Sequence, residues 1–406
     1  MSADCRWGCS SWGSKAAIST WRRWRGGSAT LFPSWRRDSR RGKLERMSPT
    51  QLFSPFVLGG VELANRIVIS PMGQFSADTS GMPSDWHLMH LGSFAVSGAG
   101  LAIVEATAVS PAGRATHRCT GLWNDAQAER FAEILRFCRR IGPTRFGIQL
   151  SHMGRKAADS VPWEGAAEMA AYGGPWPMEA PSAVAYPGRA VPCALTVQGM
   201  ADLIDKYVAA AMRADRAGFD VVEIHNAHGY LLHSFLSPHS NLRRDAYGGS
   251  LENRMRFPLE VFDAVRRVWP RTKALGVRIS ATDWTPDGWQ LDDSVEFSRR
   301  LKDLGCDYVC ASSGGSSPEQ KIPVGPGYQV PLSEMIRQQA GLPTMAVGLI
   351  TDPEQAEAVL TRGRADLVAL GRAIMDNPRW PWHAARHFQS AQPVPPQYRR
   401  AHPSIS

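Results

Sequence analysis

The chain has 406 residues, of which 43% are hydrophobic and 20% charged, so it can bury a large core and is not a wholly disordered protein. Its net charge is +9, which suggests a nucleic-acid partner until the charge is divided along the chain. Eleven of the 46 basic and three of the 37 acidic residues lie in residues 1–46, so residues 47–406 carry 35 basic and 34 acidic residues. This neutral body argues against nucleic-acid binding.

The seven cysteines are scattered, with no C-x-x-C pair and no zinc-finger spacing. An odd number of dispersed cysteines in a chain of this length indicates free thiols and a reducing compartment. No run of eighteen apolar residues predicts a membrane span, and the first residues lack the apolar segment of a secretory signal. We therefore expect a cytoplasmic protein without membrane contact.

Residues 1–46 are unlike the rest of the chain. Five of the fourteen tryptophans lie here beside three arginine pairs, and no helical or strand period lasts more than a few residues. Three interpretations stay open: a basic arm that stacks on nucleic acid, an organelle transit peptide, or an upstream extension that is not part of the native product. Met47 begins MSPTQLFSP directly before the first patterned segment, which favours the third. We predict a folded domain over residues 47–390 and a C-terminal tail over 391–406.

From Thr50 onward, short β-rich apolar runs alternate with amphipathic stretches. The runs are RIVISPM (66–72), LAIVEA (101–106), RFGIQL (145–150), VVEIH (221–225), ALGVRIS (274–280), YVCASSG (308–314), TMAVGL (344–349) and LVALG (367–371). Such continuous apolar runs are typical of strands that are buried on both faces. Helices are predicted over 128–142, 200–218 and 293–305, and the last two end in glycine. Eight β–α repeats predict an α/β fold, a (β/α)₈ TIM barrel, and not a doubly wound sheet.

In such a barrel the functional groups lie where the strands end. The residues at these eight places are Ser70 to Phe75, Glu105 to Thr107, Gln149 to His152, His225 to Tyr230, Arg278, Ser312 to Gly315, Gly348, and Gly371 with Arg372. Glycines at the last two strand ends let backbone N–H groups approach a phosphate, and Arg372 adds a bidentate charge. The alternative is that these glycines only form tight turns.

The most informative segment follows the fourth predicted strand. His225 and His228 can donate two hydrogen bonds to one oxygen that gains negative charge, and the Tyr230 phenol can donate a proton. A metal site would need a third ligand, and no Asp, Glu or His at another strand end has a suitable spacing. We therefore expect no metal, although a purely structural histidine pair stays possible.

Four polar residues are predicted within the strands themselves. Arg278 must face either a buried carboxylate or an anionic ligand, because an unpaired buried cation is costly. Gln149 offers a donor and an acceptor, which suits the edge of a heterocycle. Glu105 and Glu223 are expected to form buried ion pairs.

From about Leu52 to its C-terminus, the chain resembles the old yellow enzyme family of FMN-dependent ene-reductases. Within that family it is most similar to the thermophilic-like branch that includes bacterial xenobiotic reductases. The stretches that carry the resemblance are NRIVISPM, IVEATAVSPAGR, GIQLSHMGRKA, GFDVVEIHNAHGYLLHSFLSPHSNLRRDAYGGSLENRMRF, VRISATD, AVGLITD, GRADLVALGR and PPQYRR.

The resemblance implies a set of site residues. Those implied to bind FMN are Ser70, Pro71, Met72, Gly73, Ala106, Gln149 and Arg278, with Ser313, Gly314, Gly348, Gly371 and Arg372 at its phosphate. His225 and His228 would hold the substrate carbonyl oxygen, beside Phe75, and Tyr230 would be the proton donor. Arg400 would reach from the tail into a neighbouring subunit's site, which implies a homodimer or homotetramer.

The resemblance also implies a ping-pong reaction. NADPH or NADH passes hydride to flavin N5, and an alkene conjugated with a carbonyl or nitro group then takes it at the β-carbon. An oxidase or nitro reductase with another acceptor stays open, as does a non-redox barrel isomerase. A dienoyl-CoA or enoate reductase would need a cysteine cluster that this sequence lacks.

The chain departs from the family pattern at two site positions. The branch usually has Cys where this chain has Gly73 and Tyr where it has Phe75, which leaves acceptor range and redox tuning open. The loop Ala157–Glu179 is predicted to cover the pocket, with Trp163 and Trp176 as its walls.

Overall fold

The computed structural model describes residues 50–401. The predicted extension over residues 1–46 lies outside the described residues, as do residues 402–406. In chain order, the strands are β1 (Phe56–Leu58), β2 (Val61–Leu63), β3 (Ile67–Ile69), β4 (Leu101–Ala108), β5 (Arg145–Ser151), β6 (Glu179–Ala180), β7 (Cys193–Ala194), β8 (Val221–Asn226), β9 (Ala274–Ser280), β10 (Tyr308–Ser312), β11 (Thr344–Ala346) and β12 (Leu367–Leu370).

The α-helices of the described part surround these strands. They are α1 (Asp85–Ala95), α2 (Asp125–Ile141), α3 (Ala166–Ala171), α4 (Val197–Ala217), α5 (Leu231–Leu236), α6 (Leu251–Val268), α7 (Leu291–Asp303), α8 (Val330–Ala340), α9 (Pro353–Thr361), α10 (Arg372–Asp376) and α11 (Trp380–His387). Short 3₁₀ helices cover Pro111–Gly113, Gly154–Lys156 and Pro396–Ala401.

Eight of the strands, β3, β4, β5 and β8 to β12, form a closed barrel in which all neighbours are parallel. Each predicted apolar run coincides with one of these strands, because a strand covered on both faces needs apolar residues throughout. The predicted (β/α)₈ barrel is therefore confirmed.

The helices α2, α4 and α7 lie where the sequence predicts them. The Asn124 side chain accepts a hydrogen bond from the Gln127 backbone N–H and so caps α2. The predicted glycine stops are also present, because Gly218 ends α4 at φ +95° and Gly305 follows α7 at φ +86°. The apolar faces of these helices pack on the outside of the barrel in one large buried cluster.

A hairpin of β1 and β2 closes the amino-terminal end of the barrel. Leu58 and Leu63 of the hairpin belong to the same buried cluster as Tyr308 inside the barrel. Gly59 turns the hairpin at φ +55°, and a side chain there would lie 2.8 Å from the carboxyl carbon of Asp307. This end of the barrel is thus filled, and the opposite end is left for a site.

Two further observations concern the described part as a whole. No helix within residues 50–401 has both the length and the apolar composition needed to cross a bilayer. The five cysteines in this range are free thiols, as predicted from their spacing.

Candidate active site

Two neighbouring cavities open where the barrel strands end, and Pro71 and Arg278 line both of them. The first, which we call the histidine cavity, has a volume of about 140 Å³ and is lined by Pro71, Gly73, Phe75, Glu105, Ala106, Ala115, Cys119, Gln149, Met153, His225, His228, Tyr230 and Arg278. The second, the glycine cavity, has a volume of about 250 Å³ and is lined by Ser70, Pro71, Met72, Arg278, Ser312, Tyr328, Gln329, residues 347–351, Ala369, Gly371, Arg372 and Ala373.

The two histidines meet at the wall of the histidine cavity. His225 Nδ1 accepts a hydrogen bond from the Ala227 backbone N–H at 3.2 Å, so a neutral His225 carries its proton on Nε2. That Nε2 atom lies 3.3 Å from His228 Nδ1. The structure thus brings together the two imidazoles that the sequence predicts as partners of one oxygen.

Both imidazoles are neutral at pH 7. Burial lowers the pKa of His225 well below its usual value, and the Arg278 charge adds to this shift. Burial likewise lowers the pKa of His228, helped by His225 and Arg278. The pair therefore acts through neutral N–H groups and not as cations.

The backbone of His228 is held in an unusual conformation. Its φ is +63°, a left-handed value that costs about 1–2 kcal/mol in a residue with a side chain. Its N–H donates to Ser280 Oγ at 2.9 Å, and its carbonyl accepts from Lys156 Nζ at 2.8 Å. Lys156 also donates to the Gly315 carbonyl at 3.0 Å. Sequence reasoning missed Lys156, although its place just after β5 was a usable signal.

Burial makes the Lys156 ammonium easier to deprotonate. It lowers the pKa of the ammonium to about 8, and the neighbouring charges of Arg189 and Arg155 act in the same direction. The ammonium lies 5.2 Å from the centre of the Tyr230 ring and 4.8 Å from that of Tyr186. These ring faces and two carbonyls together stabilise the buried cation.

Tyr230 stands immediately before α5 and lines the histidine cavity. Its ring centre lies 4.9 Å from that of His225. Burial raises the pKa of the Tyr230 phenol, and nearby Cys119 adds to the shift. The phenol therefore keeps its proton at neutral pH and can donate it.

A buried carboxylate orients the amide of Gln149. Gln149 Nε2 donates to Glu223 Oε1 at 2.7 Å, and the Tyr308 hydroxyl donates to Glu223 Oε2 at 3.2 Å. Since a carboxylate accepts only, the Gln149 carbonyl oxygen is left for another partner. Burial raises the pKa of Glu223 against the opposing charge of Arg278. Neutral donors hold Glu223 in place, so the predicted ion pair is wrong here.

Arg278 lies where the two cavities meet. Its Nε and Nη1 atoms are buried and have no hydrogen-bond partner within residues 50–401. The buried Ser70 hydroxyl, which also lacks such a partner, belongs to a residue of the glycine cavity. Unsatisfied donors of this kind are costly in a folded protein. Of the two predicted roles for Arg278, the geometry favours contact with an anionic or polar ligand.

The glycine cavity owes its space to two glycines. Gly348 has φ +122°, and a side chain there would lie 2.8 Å from Gln329 Nε2. At Gly371, the nearest atom to an added Cβ is Met72 Sδ at 3.7 Å. Arg372 follows directly and lines the same cavity. Sequence reasoning missed Gln329, because it lies in an unpatterned segment before α8.

A tight turn brings Phe75 over Gly73. Phe75 has φ +47°, and a Cβ at Gly73 would lie 3.2 Å from Phe75 Cζ. Glu105 fixes this turn, because its Oε2 accepts from the Gln74 backbone N–H at 2.6 Å. Its Oε1 lies 3.0 Å from His87 Nε2. His87 Nδ1 accepts from the Ser84 backbone N–H at 3.0 Å, so a neutral His87 of α1 donates from Nε2 to Glu105. The predicted ion pair is therefore wrong for Glu105.

The loop after β5 approaches the histidine cavity through one of its two tryptophans. The Trp163 ring is 66% exposed, and its centre lies 6.0 Å from that of Phe75. Trp176 Nε1 instead donates to the Ala112 carbonyl at 2.9 Å. Trp163 therefore covers a cavity residue from outside, and Trp176 anchors the loop.

Most of the predicted site residues line one of the two cavities. Three do not: Ser313 donates to Gln329 Oε1 at 2.6 Å, the Gly314 N–H donates to the Thr282 carbonyl at 2.8 Å, and Arg400 lies exposed in Pro396–Ala401. The roles assigned to these three residues stay predictions.

The combined site suits a planar ring with a polar edge, joined by a chain to a phosphate. The Gln149 carbonyl oxygen and the two Arg278 nitrogens that lack a partner within residues 50–401 match the ring edge. The open backbone at Gly371 and the Arg372 charge match the phosphate. These residues fit FMN, and the fold and site together define a flavin-binding barrel oxidoreductase.

Comparison with known proteins agrees with this class. Residues 51–390 match the NADH:flavin oxidoreductase / NADH oxidase family. The NADPH dehydrogenase of Geobacillus thermodenitrificans is 46% identical over 353 residues, which cover 86% of this chain and 98% of that protein. The Bacillus subtilis NADPH dehydrogenase is 42% identical over 352 residues, with 86% and 98% covered. The structure of morphinone reductase aligns with a TM-score of 0.71 and 30% identity, over 86% of this chain and 92% of that one.

The chain belongs to the NADH:flavin oxidoreductase / NADH oxidase family, the old yellow enzymes. It is therefore an FMN-dependent oxidoreductase that takes its electrons from NADH or NADPH. The predicted family, class of enzyme and cofactors are confirmed.

Proposed function

We propose that the enzyme reduces the C=C bond of alkenes conjugated with a carbonyl or nitro group. The observation that carries this proposal is the 3.3 Å approach of His225 Nε2 and His228 Nδ1, with Tyr230 on the same cavity wall. Two donors and one acid in this arrangement suit a substrate whose oxygen gains charge while a neighbouring carbon gains a proton.

FMN would lie across the two cavities. Gln149 and Arg278 would hold its ring edge, and Gly348, Gly371 and Arg372 would hold its phosphate. When bound, FMN supplies the hydride, which it has received from NADH or NADPH. The protein supplies the orientation and the charges around it.

The histidines bind and activate the substrate oxygen. Both are neutral, so each can offer one N–H without carrying a net charge into the cavity. Hydrogen bonds from two such groups draw electron density toward the oxygen and make the β-carbon electrophilic. Removal of one preorganised donor of this kind lowers the rate by about 10²–10³-fold.

Tyr230 completes the reaction with a proton. Its phenol stays protonated because burial raises its pKa, and it would deliver that proton to the α-carbon of the alkene. A general acid of this kind contributes about 10²–10⁴-fold.

The first experiment is anaerobic. The full chain is loaded with FMN, its visible spectrum is recorded, NADPH is added, and 2-cyclohexen-1-one follows. We expect the yellow bands to bleach with NADPH and to return with the enone. In Tyr230→Phe, NADPH should still bleach the flavin, but the enone should restore the colour about 10²–10⁴-fold more slowly.

Two other results would contradict the proposal. Reoxidation by oxygen or a nitroarene but not by the enone would indicate an oxidase or nitro reductase. Equal rates of enone reoxidation in wild type and Tyr230→Phe would exclude Tyr230 as the proton donor.

We also propose a cytoplasmic homodimer or homotetramer in which Arg400 reaches a neighbour's site. In its own chain, Arg400 is exposed and lines neither cavity. The tail is held against α11, because Tyr398 lies 5.5 Å from the Trp382 ring centre and Arg379 lies 5.3 Å from that of Tyr398. Sedimentation velocity would test this assembly, and a monomer would contradict it.

A further inference from the structure

A chain of hydrogen bonds runs through the histidine pair and out of the histidine cavity on its far side. It begins with the Ala227 N–H, which lies 3.2 Å from His225 Nδ1, and continues from His225 Nε2 to His228 Nδ1 at 3.3 Å. His228 Nε2 then lies 2.8 Å from Ser312 Oγ. The last two hydrogen bonds run from Ser312 Oγ to Gln329 Oε1 at 3.4 Å and from Gln329 Nε2 to the Val347 carbonyl at 3.0 Å. This chain of hydrogen bonds thus joins the carboxyl end of β8 to those of β10 and β11.

The two ends of this chain fix its direction. The Ala227 N–H can only donate, so the His225 proton lies on Nε2. The Val347 carbonyl can only accept, so Gln329 presents its oxygen to Ser312. Between these ends, His228 accepts at Nδ1 and donates from Nε2. In this resting state, His228 offers no N–H to the cavity.

Binding of a substrate oxygen requires another arrangement. For both His225 and His228 to donate a hydrogen bond to that oxygen, His228 must carry its proton on Nδ1. Its Nε2 atom is then an acceptor. The Ser312 hydroxyl is the group within reach of Nε2, at 2.8 Å. Its bond to Gln329 is long, at 3.4 Å, and Gln329 Oε1 keeps a second donor in Ser313 at 2.6 Å. Ser312 can therefore turn its proton from Gln329 to His228 at little cost.

The surroundings leave only the protons free to move. Ser312 is 4% exposed and pairs in register with Ser280 across β9 and β10. Ser280 Oγ accepts the His228 backbone N–H at 2.9 Å and donates to the Gly314 carbonyl at 2.7 Å. The His228 backbone and the strand residue beside Ser312 are thus held in place, so the Ser312 hydroxyl can rotate without a change of the backbone.

We propose that Ser312 is a positioning residue that allows His228 to change tautomer when substrate binds. Its hydroxyl accepts from Nε2 in the resting enzyme and donates to Nε2 when Nδ1–H holds the substrate oxygen. Water carries the proton, since one proton leaves Nε2 and one binds Nδ1, and the ring stays neutral. This inference rests on the proposed reduction of activated alkenes.

The test uses the full-length, FMN-loaded enzyme labelled with ¹⁵N-histidine. Long-range ¹H–¹⁵N spectra report the tautomer, and comparison with His228→Asn assigns the His228 signals. In the wild type we expect Nε2–H without ligand and Nδ1–H with saturating cyclohexanone, a ketone with no C=C bond to reduce. In Ser312→Ala, the resting ring should keep Nε2–H, because His225 Nε2–H still donates to Nδ1, but saturating cyclohexanone should produce less Nδ1–H, because the hydroxyl that donates to Nε2 is gone.

Affinity gives a second readout. Ser312→Ala should bind cyclohexanone about 2–10-fold more weakly than the wild type, the range expected for one lost hydrogen bond. Ser312→Thr keeps the hydroxyl and should restore both the tautomer exchange and the affinity. Ser298→Ala removes an equally buried hydroxyl in α7, which bonds to the Ser294 carbonyl, and should behave like the wild type.

Three results would overturn the inference. They are Nδ1–H in the resting wild type, a cyclohexanone-bound tautomer and an affinity in Ser312→Ala equal to those of the wild type, and Ser312→Thr as weak as Ser312→Ala. Failure of the proposed function is seen separately, as a wild type that 2-cyclohexen-1-one does not reoxidise. Even then, the spectra of the wild type and Ser312→Ala with cyclohexanone decide the role of Ser312.

Discussion

Replacement of Lys156 by methionine should separate activity from stability. Burial first, and then the charges of Arg189 and Arg155, lower the pKa of Lys156 from 10.5 to about 8, so the folded state disfavours the ammonium by about 3 kcal/mol at pH 7. Its hydrogen bonds to the His228 and Gly315 carbonyls, at 2.8 and 3.0 Å, return about 1.5–3 kcal/mol each. These contributions nearly cancel, so Lys156→Met should change the free energy of unfolding by no more than about 3 kcal/mol.

The loss of activity should be larger. Without the ammonium, the His228 carbonyl is freed, and the backbone can relax from its left-handed conformation at φ +63°. A displaced oxyanion donor costs up to about 10²–10³-fold, so we expect kcat/KM for 2-cyclohexen-1-one to fall at least about tenfold. The free energy of unfolding is measured with urea and the activity by anaerobic turnover.

The pH dependence of the wild type gives an internal check. As pH rises through about 8, Lys156 loses its proton in the folded enzyme, so enone turnover should fall there. Between pH 8 and 10.5 the unfolded chain still binds that proton, so this group makes folding more favourable as pH rises. Activity and the Lys156 contribution to stability should therefore move in opposite directions, and Lys156→Met should show neither step.

Lys273→Met is the matched control. Like Lys156, Lys273 lies near an aromatic ring, 5.2 Å from the Trp269 ring centre, and its ammonium donates a hydrogen bond, here to Asp215 Oδ1 at 2.7 Å. Lys273 lines neither cavity. It should leave kcat/KM unchanged. Full enone activity in Lys156→Met, or an equal loss in both variants, would refute this account of His228.

Three further predictions concern the cavity residues. Gly73→Cys should lower kcat/KM for the enone, because the new Cβ would lie 3.2 Å from the Phe75 ring. Phe75→Leu should restore part of this activity, and additive effects of the two substitutions in a double-mutant cycle would contradict this. His225 and His228 have lowered pKa values in the folded state, so stability should fall below about pH 6.5 by up to about 1.4 kcal/mol per pH unit for each. Urea midpoints from pH 5 to 8 should show this slope, and a double Asn variant should flatten it. Arg278→Met should weaken FMN binding by about 10–100-fold, the range expected for a lost charge-assisted hydrogen bond, because two buried N–H groups of Arg278 lack a partner within residues 50–401. Flavin fluorescence measures this affinity, and an unchanged affinity would contradict the assigned role.

The barrel and the location of the site could be predicted because both follow from patterns along the chain. Strands that are buried on both faces must be apolar throughout, so the eight apolar runs can be recognised as strands from the sequence. Once the barrel is inferred, topology alone brings His225, Gln149 and Arg278 to one end. No knowledge of side-chain contacts is needed for either step.

Other parts of the site depend on contacts that no local pattern encodes. Glu223 was expected in an ion pair, but its partners Gln149 and Tyr308 come from two other strands and are neutral. The left-handed φ of His228 is set by Ser280 and by Lys156 from another loop. These features arise from packing across the barrel and appear only in three dimensions.

The β1–β2 hairpin was missed for a different reason. Its turn is Gly59–Gly60 between two apolar residues, Leu58 and Val61, which is a recognised two-residue hairpin signal. Strands of three residues are too short to stand out as apolar runs, and only the glycine pair marks this hairpin in the sequence.

That hairpin also governs the movement of reactants. Because its leucines fill the amino-terminal end of the barrel within residues 50–401, reactants must approach from the opposite end. Under the proposed function, the nicotinamide donor and the alkene then compete for the histidine cavity from the same side. An excess of either reactant should therefore delay the other, so that turnover declines at high alkene concentration as substrate inhibition.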